Sequence, residues 1–350
     1  MKTALKLVDK GLVPLPLLKW GVRRLLVQRL QDEAASPTSS TDAWIKEMER
    51  GPVADVPEKA NEQHYEVPPG FFLKSLGPHL KYSSCFFERG DEDLGTAEGR
   101  MLELTCERAQ LADGQAVLEM GCGWGSLTLW MAAHYPNSTI TAVSNSAPQR
   151  QFILECAKER GLSNIEVITA DMNEFDALQG RPEGFRFDRI VSVEMFEHMR
   201  NWEELLSRVN QWLRPEGRVF LHVFAHQRYA YPFEVRDDTD WMSKYFFTGG
   251  MMPCPDLIDQ LDIPLEVEER WEVSGIHYAR TSEDWLRNLE ANKARVLELF
   301  EETYGAGEAV RWYHRWRVFF LSCAELFAFD GGKEWIVSHV RLRPREAKIS

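Results

Sequence analysis

Residues 116–130, AVLEMGCGWGSLTLW, pass from an apolar run that reads as a buried strand into a run that reads as a helix, through a turn holding three glycines. A strand apolar along most of its length must be covered on both faces, which a parallel sheet flanked by helices provides. The pattern then repeats. A helix from about 125, TITAVS (139–144), a helix from about 147 to 160, IEVITA (165–170) and FDRIVSV (187–193) follow in order. A helix WEELLSRVNQWL (202–213), stopped by Pro215 and Gly217, leads into RVFLHVFA (218–225), and EWIVSHVRL (334–342) closes the series. Strand and helix in alternation predict an α/β, Rossmann-like, doubly wound and mostly parallel sheet with right-handed crossovers. Its ligands are expected beyond the carboxyl ends of the strands.

The flanks add two further pieces. Residues 1–30 carry seven basic residues against Asp9 alone and read as two helices broken at Gly11 to Pro16. Packing on the main domain is the expectation, with a membrane-surface contact or an organelle address as the alternatives. EAASPTSST (33–41) and MERGPVADVPEKANEQ (48–63) read as a loosely ordered linker containing a short helix, so residues 1–66 form an arm and linker and 67–350 the main domain. Residues 95–110 show helical spacing through Met101, Leu102, Leu104 and Ala109. The aromatic stretch 226–292 is expected to cap the pocket, followed by helices at about 281–303 and 306–328.

Charge and cysteine usage narrow the partners. With 41 basic and 54 acidic residues, a net charge of −13, nucleic acid is an unsuited partner. The cysteines at 85, 106, 122, 156, 254 and 323 lie far apart with no CxxC pair, so no metal is expected and a reducing, cytoplasmic setting fits best. No apolar run approaches the roughly 20 residues that span a bilayer, so no membrane insertion is expected.

The glycine turn brings backbone close to a ligand, since glycine tolerates positive φ and has no Cβ. A dinucleotide fingerprint would space its glycines as GxGxxG, seating a pyrophosphate on the helix N-terminus. Here the third glycine, Gly125, comes one residue early, and Glu119 stands two residues before Gly121. A carboxylate there repels a pyrophosphate and accepts from an ammonium or a ribose hydroxyl, which points to S-adenosyl-L-methionine; a tight turn with no ligand stays as the alternative. Asn145 and Gln149, after the second strand, could bond the ribose. Asp171 and Met172, after the third, could receive the adenine amino group and wall its ring. Trp124 is expected to pack under the helix rather than meet the ligand.

VEMFEHM (193–199) follows the fourth strand. Glu194, Glu197 and His198 stand at i, i+3 and i+4, so one helical turn would put them on a common face. Methyl transfer to an amine needs a free lone pair, and an alkylamine is mostly protonated at neutral pH. A histidine, or a glutamate raised by burial, can take that proton. The bland alternative is a helix-start acid with a solvated neighbour. Tyr82, Phe246, Phe247, Trp271, Tyr278, Phe327 and Trp335 form a pool from which an aromatic wall could be drawn.

VLEMGCGWGSLTL, TAVSNSAPQ, NIEVITADM, SVEMFEHMRNW, DWMSKYFFTGGMMP and HYARTSEDWLRNL occur in this order, with GLVP near the start and GGKEWIVSHV near the end. Together they resemble the coclaurine N-methyltransferase group within the cyclopropane fatty acid synthase family, and the likeness spans nearly the whole chain. It implies a class I methyltransferase fold and a small, alkaloid-like amine as substrate, with a homodimer left open. By the same resemblance Tyr82, Ser83 and the turn Gly121-Cys122-Gly123 meet the cofactor's amino-acid end, with Glu119 before them. Ser144, Asn145 and Gln149 meet the ribose, Asp171 and Met172 the adenine, and Ile190 lines the cofactor pocket. Glu197 and His198 become the acid–base and substrate-orienting pair, supported by Glu194.

Two other readings stay open. Cyclopropane synthases methylate a lipid alkene and pass a proton to bound bicarbonate, using a cysteine in a YSCAYW-like stretch and a His-x-Ile pair. Here Ser84 and Phe224 stand in those places, while His222, Glu197 and Tyr278 remain. The third reading is a silent module that binds S-adenosylmethionine without turning it over.

Overall fold

The computed structural model describes residues 2–35, 41–54, 67–235 and 240–346. Part of the linker expected over 33–41 and 48–63 therefore lies outside the described residues. Strands β1 (Ala116–Met120), β2 (Thr139–Ser144), β3 (Ile165–Thr169), β4 (Phe187–Val193) and β5 (Leu213–His226) match the expected series. They pair in parallel, and β9 (Trp335–Pro344) adds antiparallel to β5. The sheet runs β3-β2-β1-β4-β5-β9-β8, with β8 (Leu265–Val273) on its outer edge. The strand order reverses direction at β1 and β4, so their carboxyl ends flank the crevice where an open α/β sheet holds its ligand.

Local chemistry sets the helices between these strands. After the short helix α4 (Pro69–Ser75), helix α5 (Leu94–Arg108) is capped by Asp93, whose carboxylate accepts the Thr96 amide at 2.8 Å. Helix α6 (Ser126–His134) opens at Gly125 and α7 (Ala147–Glu159) at Ser146, while α8 (Trp202–Trp212) is capped by Asn201. The sheet face beneath α8 packs Leu118, Met120 and Ile190 against Trp202, Leu205 and Val209, all buried.

The flanks differ from their sequence reading in three places. Residues 48–54 are not loose: after α3 (Thr41–Met48), Val53 and Ala54 are buried, and Asn173 bonds both the amide and carbonyl of Ala54. Within 226–292, the hairpin of β6 (Tyr231–Pro232) and β7 (Met251–Met252) and the short helix α9 (Trp241–Tyr245) lie outside the main sheet, whereas β8 returns to it. Its alternation LEVEERWEV is half polar because only one edge is paired. The helix expected at 281–303 is two helices, α10 (Gly275–Ala291) and α11 (Lys293–Tyr304), divided at Asn292. The Asn292 amide still donates to the Asn288 carbonyl at 3.0 Å, and its side chain adds bonds to the Lys74 and Asn288 carbonyls at the bend. Helix α12 (Ala306–Phe327) packs against both.

The basic arm, α1 (Lys2–Asp9) and α2 (Leu15–Ala35), lies on α12. Lys19 and Arg23 both reach the buried Glu325 carboxylate, at 3.0 and 2.5 Å, and Arg315 clasps Asp9 at 3.1 Å. No helix of the described residues is long and apolar enough to cross a membrane.

Candidate active site

At the end of β1 the chain turns through Gly121 (φ 78°) and Gly123 (φ 52°), conformations a side chain rarely adopts. The two glycines do different work. A Cβ on Gly121 would stand 2.6 Å from the Met195 side chain, so this glycine lets the turn close against the β4 loop. No atom lies within 4 Å of a Cβ position on Gly123, which leaves its backbone bare toward two adjoining cavities.

The first cavity is lined by Tyr82, Ser83, Glu119, Gly121, Cys122, Gly123, Gln149, Glu194 and His198. The second is lined by Gly121, Gly123, Ser144, Asn145, Gln149, Asp171, Met172 and His198. The structure thus brings nearly every residue singled out in the sequence to one place. Ile190 and Glu197 are the exceptions. Ile190 is fully buried in the core beside Leu118 and Met120, and Glu197 stands behind the wall. Trp124 does two things: it packs against Phe72 and Phe152, with ring centroids 5.2 and 5.5 Å away, and also lines the first cavity. An outer groove of about 1000 Å³ adjoins the first cavity through Leu80, Trp124 and Ser126.

Two polar groups on these cavities, Glu119 and Gln149, are sparsely bonded. Glu119 accepts the Thr128 hydroxyl at 2.5 Å, and burial pushes its carboxyl up to about 8. The Ser144 hydroxyl bonds the Gln149 carbonyl oxygen at 2.6 Å, which leaves the buried Gln149 Nε2 without a partner. Asp171 turns one oxygen to the Asn173 amide at 2.8 Å.

The segment VEMFEHM does not form the helical turn expected of it. Glu194 takes φ 48°, outside any helix, and only Phe196–His198 makes a single 3₁₀ turn. Glu194 and His198 therefore reach the first cavity from separate directions, and Glu197 does not reach it. Glu194 Oε1 accepts the Ser84 amide at 2.9 Å and lies 3.2 Å from His222 Nε2, while Oε2 accepts the Tyr278 hydroxyl at 2.6 Å. Burial raises its carboxyl above the ordinary range, and the nearby Lys81 ammonium opposes that rise. Glu197 Oε1 accepts the Phe224 amide at 2.7 Å, and its buried Oε2 has no partner. Burial and the Glu194 charge push this carboxyl well above the carboxylate range. His198 lines both cavities, stacks at 6.1 Å from Phe247, and is lowered by burial to about 4. It is a neutral imidazole at pH 7.

From the aromatic pool, Tyr82, Phe247 and Tyr278 line the first cavity, joined by Phe224, Trp285 and Phe319. Phe246 and Trp335 are core residues, and Trp271 lies under Arg108 at 4.9 Å. The sequence reading missed Lys81, which is buried with its ammonium 2.8 Å from the Ser84 carbonyl, and Thr128. Neither stands in a spacing that marks it out.

A family model described as mycolic acid cyclopropane synthetase matches residues 54–333. (S)-Coclaurine N-methyltransferase of Thalictrum flavum subsp. glaucum is 38% identical over 97% of this chain and 95% of its own length. The chain belongs to this family of S-adenosylmethionine-dependent methyltransferases. Pavine N-methyltransferase of the same plant is 33% identical, covering 94% of this chain and 89% of its own. The crystal structure of coclaurine N-methyltransferase bound to N-methylheliamine and SAH superposes with a TM-score of 0.92 at 37% identity, over 97% of this chain and 99% of that one.

The methyl donor is S-adenosylmethionine, and the residues present fit it. Glu119, a buried acid bonded to one hydroxyl, matches a group that brings its own ammonium. The open backbone at Gly123 and the unpartnered Gln149 amide suit an amino-acid tail and a ribose in turn.

Proposed function

We propose that the protein N-methylates a small, cyclic, alkaloid-like amine, with His198 and Glu197 as the acid–base and substrate-orienting pair and Glu194 as their support. The observation that carries this reading is a neutral imidazole, His198, on the shared wall of the two cavities, opposite aromatic faces and beside the Glu194 carboxylate. S-adenosylmethionine supplies a methyl carbon on a positively charged sulfur, open to a nucleophile in line with the C–S bond. An amine can attack only after its ammonium form gives up a proton, and the His198 imidazole accepts that proton. Glu194 attracts the cationic amine into the cavity, and Phe224, Phe247 and Tyr278 offer ring faces to it. Glu197, behind the cavity wall, holds the turn to β5 through the Phe224 amide and keeps one buried oxygen without a partner next to His198 in the chain. Ser83 and the turn Gly121–Gly123 hold the donor's amino-acid end, Ser144, Asn145 and Gln149 its ribose, and Asp171 and Met172 its adenine. The names of the relatives support the choice of nitrogen as acceptor.

The lipid alternative meets an obstacle. Bicarbonate chemistry needs hydrogen-bond donors left open to an anion, and here the Glu194 carboxylate already occupies the Ser84 amide, His222 and the Tyr278 hydroxyl. His222 and Tyr278 both bond Glu194 rather than standing open.

The test is methyl transfer from labelled S-adenosylmethionine to a panel of cyclic secondary and tertiary amines, with phospholipid vesicles alongside. Transfer to a cyclic amine is expected. Label only in the acyl chains would overturn the assignment, and donor binding without any transfer would favour the silent module.

A further inference from the structure

His222 and His339 are direct cross-strand partners on β5 and β9, and both are fully buried. Two imidazoles inside a sheet are costly unless each ring nitrogen is satisfied. Here every one is. Arg108 Nη1, at the last turn of α5, lies 2.6 Å from His339 Nδ1; His339 Nε2 lies 2.9 Å from His222 Nδ1; His222 Nε2 lies 3.2 Å from Glu194 Oε1. Arg341 pins the start of the chain by donating to the Arg108 carbonyl at 2.9 Å, and the Arg108 guanidinium lies over the Trp271 ring.

The direction of this chain is forced by its far end. A guanidinium only donates, so His339 Nδ1 must accept. A neutral imidazole that accepts at Nδ1 carries its proton on Nε2, and it therefore donates to His222 Nδ1. The same logic puts the His222 proton on Nε2, aimed at Glu194. Burial, with the Lys81 and Arg108 charges, lowers both rings well below the usual imidazole range, which keeps them neutral.

We propose that Arg108, acting through His339 and His222, is a remote positioning residue that fixes Glu194 as an acceptor-only carboxylate in the active site. This deepens the amine reading above and rests on it for its catalytic consequence. With the Ser84 amide and the Tyr278 hydroxyl, the relay gives Glu194 three donors and no acceptor. Glu194 then serves as the fixed negative charge, and proton exchange falls to His198 and Glu197. The other titratable groups facing Glu194 are Lys81 and Cys85 from the segment before α5, Glu197 and His198 from its own loop, Tyr278 from α10, and Cys323 from α12. Of these only Lys81 is a cation. Arg108 itself faces Glu107, Glu269 and Arg100.

The first test is long-range 15N–1H correlation of histidine rings at pH 7, assigned with His222→Asn and His339→Gln. Both rings should be neutral Nε2–H tautomers in the wild type. An Nδ1–H tautomer or an imidazolium at either position overturns the relay. This measurement needs no methyl acceptor, so it separates failure of the relay from failure of the amine reading. The second is the pH profile of kcat with an accepted amine. Removing the donor chain makes Glu194 easier to protonate, so Arg108→Met should move the acid limb upward by roughly 0.5 to 1 pH unit, and Arg108→Lys should restore it. Affinity for SAH should stay as in the wild type. A lower kcat with an unmoved acid limb would make Arg108 merely structural and contradict the proposal.

Discussion

At the end of β1, Glu119 is a buried acid with a hydroxyl as its hydrogen-bonding partner, and burial pushes it up to about 8 from an ordinary 4.5. Folding therefore takes up a proton between those values, so the stability it carries is present below about 4.5 and lost as pH rises through about 8. Glu98, raised to about 7, acts in the same direction. His198 and His226, lowered to about 4 from 6.5, act oppositely, but only below 6.5. The window from 6.5 to 8 is left to the acids. Thermal melts of the ligand-free protein should show Tm falling across that window, at up to about 1.4 kcal/mol per pH unit for each proton, and Glu119→Gln should make the fall shallower, the remainder lying with Glu98, Glu194 and Glu197. Equal pH dependence in both proteins would contradict this account of Glu119. At the same scale, the spacing of Glu194, Glu197 and His198 was legible but its geometry was not. Periodicity presumes helical backbone, and Glu194 at φ 48° breaks it, sending its carboxylate toward Ser84, His222 and Tyr278.

Among the elements, the arm is held to α12 chiefly where Lys19 and Arg23 converge on Glu325. Glu325 is 5% exposed while its partners are 38% and 64% exposed, so the pair is neither a free surface contact nor fully dry. Glu325→Ala should cost roughly 1 kcal/mol and open the arm to limited proteolysis while the sheet stays intact. An arm cut at the wild-type rate would mean that apolar packing of Leu18, Leu26 and Leu30 holds it instead. Strands β1, β2, β4 and the second half of β5 were legible because each holds a buried apolar run, and β3, at the other edge of the sheet, because IEVIT still alternates. Strand β8 was not, since an edge strand exposed along one side carries polar residues and reads as loop. Helices α10 and α11 merged in the sequence because a break at Asn292 carries neither glycine nor proline.

For the whole molecule, the switch between β1 and β4 sets the glycine turn and the β2 and β3 ends on one side and EMFEHM on the other, with the aromatic wall drawn from β5, α10 and α12. Residues of the turn, the β2 end and the β3 end were legible because each follows a strand recognised by its apolar run. The relay from Arg108 was not, because it depends on the register of β5 against β9, which pairs His222 with His339 across 117 positions of sequence. The central claim is that holding the donor and moving the proton belong to different residues of one cleft. Calorimetric SAH binding and methyl-transfer turnover, measured side by side on wild type and His198→Ala, test it most directly. The account predicts that His198→Ala binds SAH as the wild type does and loses roughly 100-fold or more in turnover. Loss of SAH affinity in step with turnover would contradict it, and so would turnover that survives the substitution.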